Sequence, residues 1–163
     1  MTVVVADTSP VNYLVLIGEV EVLVRLYTRI LIPDVVAAEL QDPEAPLLVR
    51  QWAAHPPSWV EIRSAPNSSE RFDRLDDGER AAILLAAVQP TPVLLLIGDA
   101  DGRAEAERRG IPATGTLGVL RAAALREVVD LPVALTRLAA TSFRCPAGLI
   151  DQLLAEDQQR KRG

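Results

Sequence analysis

Residues 92–103 read PVLLLIGDADGR, and the fold follows from how this stretch is built. Five apolar residues, Val93 to Ile97, run without a polar break. That pattern fits a short strand buried on both faces, as in a parallel sheet. Asp99 and Asp101 follow at once. In open α/β sheets, ligands sit beyond the carboxyl ends of the strands, so acids placed there are candidates for metal or substrate chemistry. Near the start of the chain the arrangement recurs: Val3-Val4-Val5-Ala6 and then Asp7. If the two strands are parallel, both deliver a carboxylate to one edge.

Working outward, further strand-like runs are Ile30 to Ile32, the more exposed Val60-Glu61-Ile62, and Ile111 to Thr114. Between them the apolar residues repeat at helical spacing. After Thr8, Ser9 reads as a cap and Pro10 as a first helical residue, with Tyr13, Leu14 and Ile17 on one face and Gly18 as the stop. Val20, Leu23, Val24 and Tyr27 continue the pattern, and Pro33 opens a helix carrying Val36, Glu39 and Leu40. Further helices are expected over 44–55, from Leu75 to about Val88, over 102–109, from a Thr116 cap to about Val128, and over 132–140 and 147–156. Residues 64–71, SAPNSSER, form the clearest loop. Strands alternating with helices predict an α/β fold of three layers, with a mostly parallel sheet of four to five strands. The chain reads as a single domain over residues 1–156, with 157–163 as a flexible tail.

Composition narrows the class. The 163 residues are 49% apolar and 24% charged, as in ordinary globular proteins. No apolar run approaches the ~20 residues of a membrane span, and no basic n-region suggests a signal peptide. Cys145 is the only cysteine, so no internal disulfide forms, and a cytoplasmic location is expected. The net charge of −5 argues against a generic basic nucleic-acid coat. That average hides a distribution: with four acids gathered in one site, the rest of the surface would be nearly neutral.

The acids carry the functional reading. Asp7 follows a buried strand, where Ser9 and Pro10 already supply a helix start. Glu39 lies near the end of its helix, where a carboxylate opposes the dipole at about 0.3–1 kcal/mol. Glu79 fits a capping box with Asp76, which alone would explain it; the functional reading, not exclusive of the first, is that it projects from the first turn toward the strand ends. Asp99 precedes a helix and lies nearer the strand end than Asp101. Two unit charges ~4 Å apart repel by ~4 kcal/mol at an effective dielectric of 20. Several such pairs weigh heavily on a domain stable by only ~5–15 kcal/mol, and a cation removes the load. All-oxygen ligands favour Mg²⁺ or Mn²⁺ over zinc, and the chemistry that fits is metal-assisted phosphodiester hydrolysis. Thr8, Ser9, Thr114 and Thr116 are candidates to orient water or phosphate, though each also reads as a cap. Arg103 is the better candidate for a nucleic-acid contact, since Arg108 and Arg109 also suit a helix C-terminus. His55 is the only histidine, which disfavours a triad, and no Walker-type loop occurs.

The segments ADTSPVNYLVLIG at the start, ILIPDVVAAEL at 30–40, LDDGERAAILLA at 75–86, LLLIGDADGRAEAERRGI at 94–111 and TGTLGVLRAA at 114–123 together resemble the PIN-domain superfamily, in particular its VapC-like group DUF3368. The resemblance implies a three-layer α/β/α sandwich about a parallel sheet and an Mg²⁺- or Mn²⁺-dependent ribonuclease. Its metal-site acids correspond here to Asp7, Glu39, Glu79 and Asp99, with Asp101 as an auxiliary candidate. It further implies a toxin paired with a small antitoxin, and a homodimer whose face is sought on residues 10–27. Members of the group commonly carry two adjacent acids after the fourth strand, and here the first of those places is Gly98.

Two other readings compete with the RNA-cutting enzyme. A catalytically weak or inactive PIN-fold binding module is favoured by Gly98. A signalling receiver domain also gathers aspartates and Mg²⁺ at strand ends, but it needs a lysine after the last strand, and the only lysine is Lys161.

Overall fold

The computed structural model describes residues 2–163. Five strands form one sheet: β1 (Val3–Ala6), β2 (Ile30–Pro33), β3 (Val60–Arg63), β4 (Val93–Leu96) and β5 (Ala113–Thr114). The spatial order is β3-β2-β1-β4-β5, and every neighbouring pair is parallel. Nine helices complete the described residues: α1 (Thr8–Leu16), α2 (Val22–Tyr27), α3 (Asp34–Leu40), α4 (Leu47–Ala54), α5 (Asp77–Ala87), α6 (Ala100–Arg108), α7 (Thr116–Leu125), α8 (Leu131–Ala139) and α9 (Leu149–Arg162). The expected three-layer α/β/α architecture is present, with five strands.

The period of two in a strand sorts the core into two halves. Val4 and Ala6 of β1, Ile30 and Ile32 of β2 and Leu96 of β4 pack with α1 to α4 and α7 to α9. Val5, Leu31, Leu95 and Ile97 face the other way, against Ala82, Ile83, Leu85 and Ala86 of α5 and Ala106 of α6. The central strands are therefore apolar on both faces, which is why they read as unbroken runs.

Strand order reverses at β1. One connection carries the chain from β1 outward to β2 and β3, and a later one returns it to β4 on the other flank of β1. A crevice opens beyond the carboxyl ends of strands at such a reversal. Val5 pairs with Leu95 and Ala6 with Leu96, and the Asp7 N–H donates to the Leu96 carbonyl at 2.8 Å. Asp7 and the β4 end are thus level at this crevice.

Three local expectations shift. α1 begins directly off β1, so Asp7 takes the N-cap position and Ser9 lies inside the first turn; the Asp7 side chain makes no capping bond. Pro10 falls in that first turn, where a missing N–H costs nothing. At α7 the N-cap is Gly115, not Thr116. Residues 157–162, expected as part of a flexible tail, are helical and continue α9. Asp157 anchors them: only 4% exposed, it accepts from Arg160 Nη2 at 2.9 Å and pairs with Lys161 Nζ at 2.8 Å. Among the described residues, no helix is long and apolar enough to cross a membrane.

Candidate active site

A cleft of about 520 Å³ opens at the strand reversal, lined by Asp7, Glu39, Asp76, Glu79 and Asp99 together with Thr8 and Ser9. Its acids come from different elements: Asp7 from the end of β1, Glu39 from α3, Asp76 and Glu79 from the start of α5, and Asp99 from the end of β4. The four acids carried over from the resemblance thus converge. Asp7 and Glu79 form the floor, only 4% and 8% exposed. Glu39 is half-buried, and Asp76 and Asp99 stand exposed at the rim.

Four of the five carboxylates, those of Glu39, Asp76, Glu79 and Asp99, are each held by one neighbour. Glu79 completes the capping box of α5: its N–H donates to Asp76 Oδ1 at 2.8 Å, and its Oε1 accepts from the Asp76 N–H at 3.1 Å. Its Oε2 is buried without a partner among the described residues. Capping and site membership therefore coexist in one side chain. Asp99 caps α6, with Oδ2 accepting from the Gly102 N–H at 3.2 Å. Thr8 Oγ1 donates to Glu39 Oε2 in a short hydrogen bond. Asp7 Oδ1 is a second buried oxygen with no hydrogen-bond partner among the described residues.

Two glycines make room for this arrangement. A Cβ at Gly78 would stand 2.6 Å from Glu39 Oε1, so only glycine lets that carboxylate approach the start of α5. A Cβ at Gly98 would stand 2.8 Å from Ser9 Oγ and 3.1 Å from Ser9 Cβ. The absent first acid after β4 thus has a steric counterpart, because Ser9 occupies the space that a side chain at 98 would need.

Electrostatics mark the floor as unfavourable for bare charge. Burial pushes the Asp7 carboxyl up to about 7, and the carboxylates of Asp76, Glu39 and Asp99 push in the same direction. Burial also pushes Glu79 up to about 8, aided by Asp76 and Asp99. Orphaned buried oxygens, an all-oxygen donor set and mutual repulsion are the conditions that a hard cation relieves. Among the described residues, no three or more His, Cys, Asp or Glu side chains stand close enough together to hold a metal ion between them. Mg²⁺ does not require such a group, since it keeps several waters and commonly takes one or two carboxylates plus a substrate phosphate. The residues present therefore fit such an ion.

Other candidates are placed differently. Asp101 sits exposed in the first turn of α6 and is not among the cleft residues. Residues two apart on a helix do not face the same way, so with Asp99 in the cleft, Asp101 turns out of it. Thr116 and Arg103 line a neighbouring cleft with Ser9. Arg109 is engaged elsewhere, pairing with Glu70 at 2.8 Å and Glu105 at 3.1 Å and lying 4.6 Å over the Phe72 ring. Arg108 pairs with Glu105. Sequence reasoning treated Asp76 as a cap alone; the signal for more was its place one turn before Glu79, at the same helix start.

A family model, DUF3368, described as a PIN domain, matches residues 3–159, nearly the whole chain. No curated protein matches the chain.

Proposed function

This chain belongs to the PIN-domain family DUF3368, and on that premise we propose that it is a divalent-metal-dependent endoribonuclease. PIN domains are generally nucleases and typically use divalent metals. The observation that carries the finer reading is the convergence of Asp7, Glu39, Glu79 and Asp99 on one cleft, with two buried carboxylate oxygens lacking partners among the described residues. These four residues would hold one or two Mg²⁺ or Mn²⁺ ions. A bound ion of this kind supplies an activated water and neutralises the charge that develops on the phosphate.

The chain's own residues do the positioning. Thr8 fixes the Glu39 carboxylate, the Asp76 N–H holds one oxygen of Glu79, and the Gly102 N–H holds one oxygen of Asp99. Among the described residues Glu79 Oε2 and Asp7 Oδ1 have no hydrogen-bond partner. Without a cation, Glu79 and much of Asp7 keep their protons near neutral pH, and cation binding would displace them. The substrate is RNA whose scissile phosphate reaches a recessed site, as a single strand or an open structured region can.

The test is cleavage of RNA with Mg²⁺ or Mn²⁺ present. Asp7→Asn and EDTA should each reduce the rate at least 100-fold, about 2.7 kcal/mol of barrier, while circular dichroism shows the fold unchanged. Full activity in either case rejects the assignment. The second reading, a PIN-fold binding module without catalysis, is favoured by Gly98. It predicts no cation binding by calorimetry and no cleavage under any metal.

The VapC-like resemblance supports a further proposal, that the chain is a toxin neutralised by a small antitoxin. We also propose a homodimer. Among the described residues the large exposed apolar side chains include Leu47 and Leu48, 58% and 57% exposed on α4, and Ile62 on the edge strand β3; none lies within residues 10–27. A Leu47→Asp, Leu48→Asp double variant should sediment as a monomer where the parent sediments as a dimer; a monomeric parent rejects the proposal.

A further inference from the structure

Beside the acidic cleft lies a second one of about 410 Å³, and Ser9, Tyr13 and Gly98 form a wall common to both. The charge of the second is opposite. Among the described residues that line it there is no Asp or Glu, whereas Arg103 and Arg144 both border it. Arg103 Nη1 donates to the carbonyls of Ile97 at 3.3 Å and Gly98 at 2.6 Å. Arg144 Nη1 donates to those of Ser142 and Phe143, both at 3.2 Å. These bonds hold the guanidinium groups in place through one nitrogen each. Neither arginine forms an ion pair among the described residues, so Nε and Nη2 stay free to meet an anion.

The start of α7 supplies a second kind of donor. Gly115 is its N-cap, so the cap residue itself offers no side-chain bond to the first N–H groups of this ten-residue helix. Thr116, only 2% exposed, lines the cleft there, and its Oγ1 has no hydrogen-bond partner among the described residues. A buried hydroxyl left unpaired is costly unless a ligand completes it. Backbone N–H groups at a helix start, an unpaired hydroxyl and two guanidinium forks form a phosphate-binding set.

Resting on the nuclease reading, we propose that this cleft is a phosphate subsite for a nucleotide flanking the scissile one. The RNA strand would cross the wall of Ser9 and Gly98, from the arginine-lined cleft into the acidic one. The arrangement answers an electrostatic difficulty. The ionised carboxylates of the acidic cleft repel a polyanion, and an adjoining cationic cleft offsets that repulsion where the strand enters.

The test uses a short fluorescein-labelled single-stranded RNA and fluorescence anisotropy in Mg²⁺, with Asp7→Asn as the non-cutting parent. Adding Arg144→Ala, an exposed loop substitution, should weaken binding about tenfold. It should also lower the slope of log affinity against log salt by about 0.7, the single-strand value for one phosphate contact. Thr116→Val should weaken binding several-fold, and Thr116→Ser should restore it. In a scan with neutral methylphosphonate linkages, one linkage should matter for the parent and cease to matter once Arg144 is removed. Unchanged affinity, unchanged slope or an unchanged scan on removing Arg144 overturns the subsite. Cation calorimetry and RNA cleavage by the wild-type chain are measured alongside. If both are positive while Arg144→Ala is silent, the subsite alone is wrong. If both are negative, the nuclease reading falls and takes the subsite with it.

Discussion

At the scale of single residues, the position of Glu39 depends on what another residue lacks. Its carboxylate lies against the start of α5, and a Cβ at Gly78 would stand 2.6 Å from one oxygen and 2.7 Å from the other. Gly78→Ala separates two effects that most substitutions confound. Alanine inside a helix is favoured over glycine by roughly 0.5–1 kcal/mol, so the melting temperature should hold or rise. The Glu39 carboxylate must move aside, and Mn²⁺ affinity measured by calorimetry should drop about 10–100-fold, the usual cost of disturbing a metal site's supports. An unchanged affinity would remove Glu39 from the ligand set.

At the scale of elements, the opening of α5 has two functions that one pair of substitutions can divide. Asp76 caps the helix through the Glu79 N–H and also lines the cleft. Serine is about as good an N-cap as aspartate, whereas alanine costs about 1 kcal/mol. Asp76→Ser should therefore keep thermal stability, and Asp76→Ala should lower the melting temperature by ~2–4 °C for a chain of this size. If the cleft carboxylate matters for cation binding, both variants should weaken Mn²⁺ affinity equally; if Asp76 only caps, Asp76→Ser should bind Mn²⁺ like the parent. The capping half of this pair was legible in the sequence, because Asp76 and Glu79 sit at a fixed local offset. So were the strands: β1, β2 and β4 are short apolar runs that end at a charged residue, a proline or a turn, β3 alternates Val60-Glu61-Ile62 as a more exposed strand, and β5 lies within the short run Ile111 to Thr114. The cleft half was not, since it depends on where the start of α5 lands relative to the end of β1, which is set by packing across the sheet. Asp101 misled for the opposite reason. It is close to Asp99 in sequence, but α6 begins between them and turns the second acid away. The last turns of α9 were within reach of the sequence, since Asp157, Arg160 and Lys161 stand at i, i+3 and i+4; the burial that holds Asp157 in place was not.

At the scale of the whole molecule, the acidic cleft should make stability depend on pH and on cations together. Unfolded, Asp7 and Glu79 release their protons near 3.8 and 4.5; folded and without a cation, they hold them to about 7 and about 8. Between those limits the native state binds more protons than the unfolded one, so stability falls as pH rises. Their contribution is complete below about pH 4 and is lost as pH climbs through about 7 to 8. Asp157 runs the other way: Lys161, and then Arg160, hold its carboxyl below the usual range, so its contribution is lost only as pH falls below about 4, outside this window. A divalent cation takes the place of the two protons, and it competes better as they become scarce. In EDTA the melting temperature should therefore decline from about pH 5 to pH 8. The gain on adding Mg²⁺ should grow over the same interval, approaching about 2.7 kcal/mol where the cation is at 100 times its dissociation constant. Asp7→Asn removes one of the two buried acids, so it should flatten the decline in EDTA and shrink the Mg²⁺ gain at pH 8. Differential scanning calorimetry across the pH series reads all of these quantities. A Mg²⁺ gain that does not vary with pH, or that survives Asp7→Asn intact, would mean that any cation stabilising this fold sits somewhere other than among these carboxylates.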